Sequence, residues 1–364
     1  MRILVVNTGS SSLKLRVLDG EDVVADLELD RWDDEDELDP LAGFVGDAAP
    51  VDAVGHRVVH GGPGHQGPAL VTAELEEQIL ALASLAPLHQ HRAVAGMGAL
   101  RRLLPDTPQV ACFDTSFHTT IPPAAANYAL PHAWRDRWSL RRYGFHGLSH
   151  AWAVGHALEV ARPPRLGNRV VSCHLGAGAS LCAARAGQSL DTTMGYTPLE
   201  GLVMATRSGS VDPGLIVWLI EHGGLDAREV GRGLEHDAGL AGLSGTSDDM
   251  RDVLAARRTG DADAALAVDV YVHRLRREIA AMAAALDGVD VVAFTGGVGE
   301  HSADVRAESI AGLGFLGLVL DTEANAAATG DADISAPDSP ARTVVVTARE
   351  DLEIARQVRA ALTA

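Results

Sequence analysis

Cysteines and long apolar runs are scarce in this sequence of 364 residues, and each shortage excludes a class of protein. The three cysteines, Cys112, Cys173 and Cys182, form no CxxC pair and are too few for a disulfide framework or a structural zinc site. The apolar run from Ile3 to Val6 is too short for the core of a signal peptide, and no run approaches the roughly 18 residues of a membrane span. We therefore expect a soluble protein of the reducing cytoplasm.

Positive charge is also scarce in the chain. Lysine and arginine total 30 against 49 aspartates and glutamates, which gives a formal net charge of -19. A field of that sign repels a nucleic-acid backbone and an anionic membrane surface, so we expect neither as a partner. A small anionic substrate then requires a local cluster of arginines, backbone N–H groups or a divalent cation. Lys14 is the one lysine in the sequence and lies beside a Gly/Ser turn, where its compact charge suits a phosphate.

The hydrophobic pattern predicts an α/β protein with an internal duplication. The predicted strands cover residues 2–6, 13–18, 51–59, 109–113, 169–175, 179–185 and 289–295, and the predicted helices cover residues 74–85, 93–104 and 350–362. Asn7-Thr8-Gly9, at the end of the first hairpin strand, aligns with His174-Leu175-Gly176 at the end of a similar strand in the second half. Two similar halves with glycine turns indicate a nucleotide held in a cleft.

Three glycine-containing turns follow apolar strands and could cradle phosphate groups with their backbone N–H groups. Two of them are the segments 176–178 and 296–299. Around the remaining turn, at residues 8–12, lie Asn7, Ser10, Ser12 and Lys14. A surface hairpin is the alternative for that turn. Neither a Walker A loop nor a Rossmann GxGxxG motif occurs, which argues against P-loop NTPases and dehydrogenases.

Two arginines, a carboxylate and a histidine complete the candidate chemistry. Arg57 and Arg207 could clamp a carboxylate on one side and a transferring phosphoryl group on the other. Asp114 directly follows an apolar strand, where open α/β sheets place ligand-binding groups, and His146 lies between an aromatic residue and a glycine. The alternatives are a surface ion pair for Arg57, a helix cap for Asp114 and a structural role for His146.

Together these motifs resemble the acetate kinases, which belong to the acetate and sugar kinase, Hsp70 and actin superfamily. The matching blocks run in one order through nearly the whole chain: VNTGSSSLK at 6–14, GHRVVHGG at 55–62, FDTSFH at 113–118, RRYGFHGLSH at 141–150, HLGAGAS at 174–180, MGYTPLEG at 194–201, TRSG at 206–209, SGTSDDMRDV at 244–253 and FTGGVGE at 294–300.

The resemblance implies two duplicated actin-like, ribonuclease H-like α/β domains with a nucleotide cleft between them. The first would comprise residues 1–117 and 350–364, and the second, residues 118–349, would bind the nucleotide and form a homodimer. The implied activity is reversible, direct in-line phosphoryl transfer from ATP to acetate, giving acetyl phosphate and ADP. The implied cofactor is Mg²⁺, with Mn²⁺ as an alternative.

The resemblance also assigns site residues. It implies that Asp114, His146 and Arg207 are catalytic and that Asn7 and Glu350 are associated with magnesium, with Asp351 as the alternative to Glu350. Arg57 would bind the substrate carboxylate, and the methyl group would lie among Val59, Leu88, Phe145 and Pro198. The nucleotide and its phosphates would be held by Ser10, Ser12, Lys14, His174, Leu175, Gly176, Ala177, Gly178, Asp249, Met250, Arg251, Gly297, Val298, Gly299, Glu300 and His301.

Two departures from the family pattern bear on activity. Ala177 stands where members commonly carry asparagine, and Ser210 where they commonly carry aspartate. Each lost polar contact costs on the order of 1–3 kcal/mol if nothing replaces it. A nucleotide-binding regulator without phosphoryl transfer therefore remains an alternative. A preference for propionate or butyrate, and a donor other than ATP, also stay open, because the sequence does not give the pocket volume.

Overall fold

Strands and helices alternate through the part of the chain that this computed structural model describes, which is residues 1–8, 13–29, 38–48, 50–161 and 168–363. The strands are β1 (Arg2–Thr8), β2 (Leu13–Asp19), β3 (Asp22–Leu29), β4 (Ala53–Val58), β5 (Ala69–Leu70), β6 (Gln109–Phe113), β7 (Arg169–Leu175), β8 (Ala179–Arg185), β9 (Gln188–Thr192), β10 (Val291–Thr295), β11 (Ala332–Asp333) and β12 (Arg342–Val345).

The helices begin with α1 (Leu38–Ala48), α2 (Ala73–Ala81), α3 (Pro87–Leu103), α4 (Pro123–Ala126), α5 (His132–Trp138), α6 (Gly147–Ala161), α7 (Pro213–Glu221) and α8 (Ala227–His236). They continue with α9 (Gly239–Ser244), α10 (Met250–Arg258), α11 (Ala262–Ala285), α12 (Gly296–His301), α13 (Ala303–Ile310), α14 (Thr322–Ala327) and α15 (Glu350–Thr363). Short 3-10 helices cover Ala83–Leu85, Ser116–Thr120 and Gly314–Leu316.

The first sheet has the strand order β3-β2-β1-β4-β6-β5. Its central strands β1, β4 and β6 are parallel, whereas β2, β3 and β5 pair antiparallel with their neighbours. Alternate residues of β1 pack on opposite faces, as the period of a strand requires. Ile3 and Val5 contribute to a core with residues of α15, and Leu4 and Val6 contribute to a core with residues of α1 and α3.

The second sheet repeats this arrangement. Its order, β11-β12-β10-β7-β8-β9, is that of the first sheet read from the other edge, again with three parallel central strands and antiparallel strands beyond them. Asn7 pairs with Lys14 across the first hairpin, and His174 pairs with Ser180 across the second. The duplicated α/β architecture predicted from the two hairpins is confirmed.

The chain divides into two compact units. One comprises Met1–Thr119, Phe145–Trp152 and Arg349–Ala364, and the other comprises Thr120–Gly144 and Ala153–Ala348. The predicted ranges differ from these chiefly at residues 145–152, which were expected in the second domain. They belong with the first unit because Leu148 lies in its core and the Gly147 N–H donates to the Asp114 carbonyl at 3.0 Å.

The described residues contain no helix that is both long and apolar enough to cross a membrane. The three cysteines are all buried and unpaired. Burial raises the pKa of the Cys112, Cys173 and Cys182 thiols well above the usual range, so all three behave as small core residues.

Candidate active site

The carboxyl edge of the first sheet brings three predicted site residues together. Asn7 is the second-last residue of β1, Arg57 is the second-last residue of β4, and Asp114 directly follows β6. The parallel strands β1 and β4 are in register, with Val6 opposite His56. Because parallel neighbours end at the same edge of a sheet, the side chains that follow converge there.

Arg57 is the centre of a hydrogen-bonded cluster at this edge. Its Nη2 and Nε donate to Oδ2 of Asp114 at 2.7 and 3.2 Å, and its Nη1 donates to Oδ1 of Asn7 at 3.1 Å. Asn7 Nδ2 in turn donates to Oε2 of Glu350, the first residue of α15, at 3.3 Å. The structure therefore joins four residues that the sequence places up to 343 positions apart.

The cluster is well shielded from water. The side chain of Asp114 is 1% exposed and that of Arg57 is 16% exposed. Burial alone would lower the pKa of Arg57, but the carboxylates of Asp114 and Glu350 raise it above its ordinary value. Arg57 is thus held as a cation. Its contacts with Asp114 and Asn7 occupy three of the five N–H groups of a guanidinium, which leaves one on each terminal nitrogen for a ligand.

His146 lies immediately before α6 in an unusual backbone conformation. Its φ is 55°, in the left-handed region that residues other than glycine seldom adopt. The turn is fastened on both sides: His118 Nε2 donates to the carbonyl of Phe145 at 3.0 Å, and the Gly147 N–H donates to the carbonyl of Asp114 at 3.0 Å. The segment that follows β6 therefore fixes the position of His146.

The predicted acyl-pocket residues are only partly described. Phe145 is 1% exposed and meets the ring of His60 edge-on with centroids 5.4 Å apart, and Val59 is also buried. Pro198 belongs to the second unit, where its carbonyl accepts from Arg207. The side chain of Leu88 lies outside the described part of the structure, as do Ser10 and Ser12.

Arg207 lies in a tight loop of the second unit. Its Nη1 donates to the Pro198 carbonyl at 2.9 Å. Burial lowers the pKa of its guanidinium, and the carboxylate of Glu235 offsets only part of that decrease. Ser210, which replaces the aspartate common in the family, closes the loop. Its hydroxyl accepts from the Gly201 N–H at 3.0 Å, and its own N–H donates back to the Gly201 carbonyl at 3.0 Å. The serine therefore makes a structural hydrogen bond at this position.

A cavity of about 780 Å³ opens in the second unit, within the size range of ligand pockets. The predicted nucleotide-binding residues that line it are Gly176, Ala177, Asp249, Met250, Arg251, Gly297, Val298 and His301. Six others that the structure describes, Lys14, His174, Leu175, Gly178, Gly299 and Glu300, are not among its lining residues. The sequence motifs therefore located this cavity, although they did not identify each wall residue.

Further wall residues escaped the sequence analysis: Ala205, Leu240, Asp248, Leu254, Arg258, Tyr271, Ser302, Ala303 and Asp304. They come from several separate elements, and apart from Asp248, which lies in the block at 244–253, no sequence motif marks them. Leu254 and Tyr271 are buried positions of α10 and α11, where apolar periodicity predicts only a core. The walls contributed by Ala177, Leu240 and Leu254 make part of the cavity apolar.

Asp249 is held as an anion at the start of α10. Its side chain accepts the Arg251 backbone N–H at 2.8 Å as the helix N-cap, and it also accepts Nε of Arg251 at 3.0 Å. These hydrogen bonds from Arg251 lower the pKa of the Asp249 carboxyl. The pair therefore places fixed charges of both signs beside the cavity.

Lys14 takes a position that the sequence analysis did not anticipate. Its Nζ lies 2.6 Å from Oε1 of Glu28, directly opposite on β3, and its side chain is half exposed. Cross-strand pairs of opposite charge stabilise a sheet modestly. In the described structure, the lysine is thus engaged by a surface carboxylate.

The donor chemistry of the Arg57 cluster suits magnesium. No group of three or more His, Cys, Asp or Glu side chains able to hold a metal occurs among the described residues. Mg²⁺, however, is usually bound by one or two protein carboxylates together with water and substrate phosphates. The amide oxygen of Asn7 and the carboxylates of Glu350 and Asp114 are hard oxygen donors of that kind.

Comparison with known proteins agrees with these observations. The sequence profile of the Acetokinase family matches residues 37–356. An acetate kinase of Synechococcus sp. is 49% identical over 324 residues, which cover 89% of this chain and 78% of that protein.

Two solved structures have the same fold over the whole chain. The acetate kinase of Porphyromonas gingivalis superposes with a TM-score of 0.89 at 34% identity and covers 99% of each chain. A propionate kinase of Francisella tularensis superposes with a TM-score of 0.90 at 32% identity, again covering 99% of each chain. With the duplicated sheets and the motif order, these matches establish that the chain belongs to the acetokinase family.

Proposed function

We propose that this chain is an acetate kinase that transfers the γ-phosphoryl group of ATP to acetate, giving acetyl phosphate and ADP, and that also catalyses the reverse reaction. The observation that carries the proposal is the hydrogen-bonded cluster of Asn7, Arg57, Asp114 and Glu350 in a member of the acetokinase family. The Arg57 guanidinium is held in place and keeps two N–H groups that its contacts with Asp114 and Asn7 do not use, an arrangement that suits a small carboxylate.

Arg57 is proposed to bind the acetate carboxylate. Asp114 and Asn7 hold three of its N–H groups, so the guanidinium plane is oriented before the substrate arrives. Such preorientation reduces the entropy lost on binding. Val59 and Phe145 supply buried apolar surface in the same unit for the methyl group. Asp114 need not act as a strong base, because acetate is already ionised near neutral pH.

The transfer is proposed to proceed in line. An acetate oxygen forms a bond to the γ-phosphorus while the bond to the oxygen shared with the β-phosphate breaks, and that oxygen leaves as part of ADP. Arg207 and His146 would donate hydrogen bonds to the equatorial oxygens as their charge develops. Bound Mg²⁺, held by Asn7 and Glu350, would neutralise phosphate charge.

The cavity of the second unit is proposed to bind the nucleotide. Its lining glycines, Gly176 and Gly297, allow phosphates to approach closely, and its apolar wall residues, such as Leu240 and Leu254, suit the face of a base. Ser10, Ser12 and Lys14 are proposed on the phosphate side. The first unit would then be the acyl-binding part and the second the nucleotide-binding part.

We also propose that the protein works as a homodimer in the cytoplasm. Helix α7 exposes Leu215, Val217, Trp218 and Ile220, each by 42–54%. None of the residues of α7 is buried. An exposed apolar surface of this kind on the outside of a chain usually marks a protein interface. A second copy of the chain is the proposed partner.

Acyl phosphate formation tests the proposed function. Purified protein would be given Mg-ATP with acetate, propionate or butyrate, and the product trapped as the hydroxamate. We expect acetate to have the highest kcat/KM, with each added methylene costing about tenfold or more. A preference for propionate would keep the mechanism and change the substrate. That alternative is tested because one of the similar structures is a propionate kinase.

The variant Arg207→Ala tests whether Arg207 takes part in phosphoryl transfer. We expect turnover to fall by about a hundredfold or more while the far-ultraviolet circular dichroism stays unchanged, because a donor to the transition state is lost. Unchanged turnover in Arg207→Ala would contradict the proposed role of Arg207. In the unmodified protein, nucleotide binding without acyl phosphate from any acid would contradict the proposed function and favour a nucleotide-binding regulator.

A further inference from the structure

Residues 296–299, which were predicted as a glycine turn, form the first turn of the short helix α12 (Gly296–His301). The N–H of Gly296, at the start of this turn, is occupied by a side chain of the protein itself. Oε1 of Glu300 accepts the Gly296 N–H at 2.9 Å and also accepts the Ala348 N–H at 3.0 Å. One carboxylate oxygen therefore joins the turn to a chain segment that follows β12. Glu300 is not among the lining residues of the cavity, whereas its neighbours Gly297, Val298 and His301 are.

Arg306 holds the backbone of Glu300 by hydrogen bonds. Its Nη1 donates to the carbonyls of Gly299 and Glu300 at 2.9 and 2.7 Å, and its Nε and Nη2 donate to Asn325 at 2.8 Å each. Arg306 is 1% exposed, and these acceptors are uncharged oxygens. A buried cation without a carboxylate partner is costly, so its hydrogen bonds indicate a strong requirement to fix this turn.

The segment held by Glu300 leads directly to the first unit. The second unit ends at Ala348, and Arg349 begins the C-terminal segment of the first. The Thr347 N–H is also fixed, by Oδ1 of Asp331 at 2.7 Å. Two residues beyond Ala348 lies Glu350, which belongs to the Arg57 cluster through Asn7. Glu300 thus contacts the cavity turn and the backbone that carries Glu350.

We propose that Glu300 is a positioning residue that couples occupancy of the nucleotide cavity to the conformation of residues 347–350. A ligand that orders the turn at 297–301 would strengthen the carboxylate's hold on Ala348, and so on the backbone leading to Glu350. Coupling of this kind is a free energy between two sites. The proposal rests on the proposed nucleotide site. In it, Glu300 does not contact the nucleotide but connects the first turn of α12 to Ala348.

Hydrogen exchange with ADP alone, in the presence of a metal chelator, tests this coupling without any turnover. In the unmodified protein we expect ADP to slow exchange in the cavity segments 249–251 and 297–301, and to slow exchange in 346–352 by about fivefold or more. In Glu300→Ala we expect the cavity segments to remain protected and the effect on 346–352 to vanish.

Matched variants separate positioning from general destabilisation. Glu323→Ala, on the exposed first turn of α14 in the same unit, should behave as the unmodified protein does. Glu300→Gln retains an acceptor oxygen and should restore part of the effect on 346–352. If Glu300→Ala does not fold, Glu300→Asp serves instead, because the shorter side chain keeps the charge but cannot span both amides.

The outcomes distinguish the two proposals. ADP that protects neither cavity segment of the unmodified protein would overturn the proposed nucleotide site. ADP that protects the cavity segments but leaves 346–352 unchanged would overturn the coupling, as would full protection of 346–352 in Glu300→Ala or Glu300→Asp.

Discussion

At the scale of single residues, the chemistry depends on how Arg57 is held rather than on its charge alone. A surface salt bridge contributes little to stability, but the Arg57–Asp114 pair is buried, so each partner depends on the other for compensation of its charge. The guanidinium fork contacts Asp114 through two nitrogens and Asn7 through a third. A lysine at this position would keep the charge and lose that geometry.

The substitution Arg57→Lys tests this geometry. We expect kcat/KM for acetate to fall by about tenfold to a hundredfold, because one or two charge-assisted hydrogen bonds are lost. Arg101→Lys is the matched control, since Arg101 forms a half-exposed surface pair with Glu76. Steady-state kinetics with acetate as the varied substrate gives the answer. Equal kcat/KM values for the two variants would show that Arg57 does not bind the carboxylate.

The sequence predicts the kinds of residue at the site better than their contacts. Asp114 was identified from its place at the end of a strand, and it meets Arg57 because the parallel strands β4 and β6 end at one edge. Lys14 was also selected, but its pairing with Glu28 depends on β3 lying opposite β2. That pairing follows from the β2–β3 hairpin, which was not predicted because most residues of β3 are exposed.

At the scale of elements, the start of α6 determines where His146 lies. Gly147 has no space for a side chain, because an added Cβ would overlap the carbonyl oxygen of Asp114 and come within 2.9 Å of Phe117. The same Gly147 donates its N–H to that carbonyl. The glycine therefore permits the close approach that fastens the His146 turn to the end of β6.

The substitution Gly147→Ala should disrupt this attachment. We expect unfolding free energy to drop by about 1–3 kcal/mol, as for other overpacked sites, and turnover to fall at least in parallel. Gly155→Ala, in the same helix with open space around it, should instead raise stability by about 0.5–1 kcal/mol. Urea unfolding and turnover of both variants provide the measurement. Equal effects would mean that the close approach at Gly147 is unimportant.

Element boundaries follow the strength of the local pattern. The bounds of β6, β7 and β8 agree with the predicted 109–113, 169–175 and 179–185, since each is a nearly continuous buried run. The helix predicted over 93–104 begins earlier, at Pro87, because proline is well suited to the first turn. The edge strand β3 was not predicted, because most of its residues are exposed and three of its eight side chains are acidic.

At the scale of the whole molecule, duplication explains the architecture. Two hairpins in the sequence were enough to predict two similar halves, and the two sheets share one strand order. The assignment of residues 145–152 to the first unit could not be predicted in the same way. It depends on Leu148 and Trp152 packing against residues such as Ile354, more than 200 positions away along the chain.

The proposed homodimer is tested by the apolar face of α7. We expect Trp218→Glu to convert the protein from dimer to monomer, because a charge would be buried in the interface. Trp138→Glu, at a similarly exposed tryptophan on α5, should leave the dimer intact. Light scattering coupled to size-exclusion chromatography measures the mass. A monomeric unmodified protein, or a Trp218→Glu variant that stays dimeric, would exclude this face as the interface.

The most direct test of the proposed activity is ATP formation from acetyl phosphate and Mg-ADP, followed by ³¹P nuclear magnetic resonance. We expect the acetyl phosphate signal to decline as the ATP signals grow in equal amount, with little release of inorganic phosphate. Loss of acetyl phosphate to inorganic phosphate alone, or no reaction while ADP remains bound, would contradict phosphoryl transfer between acetate and ATP.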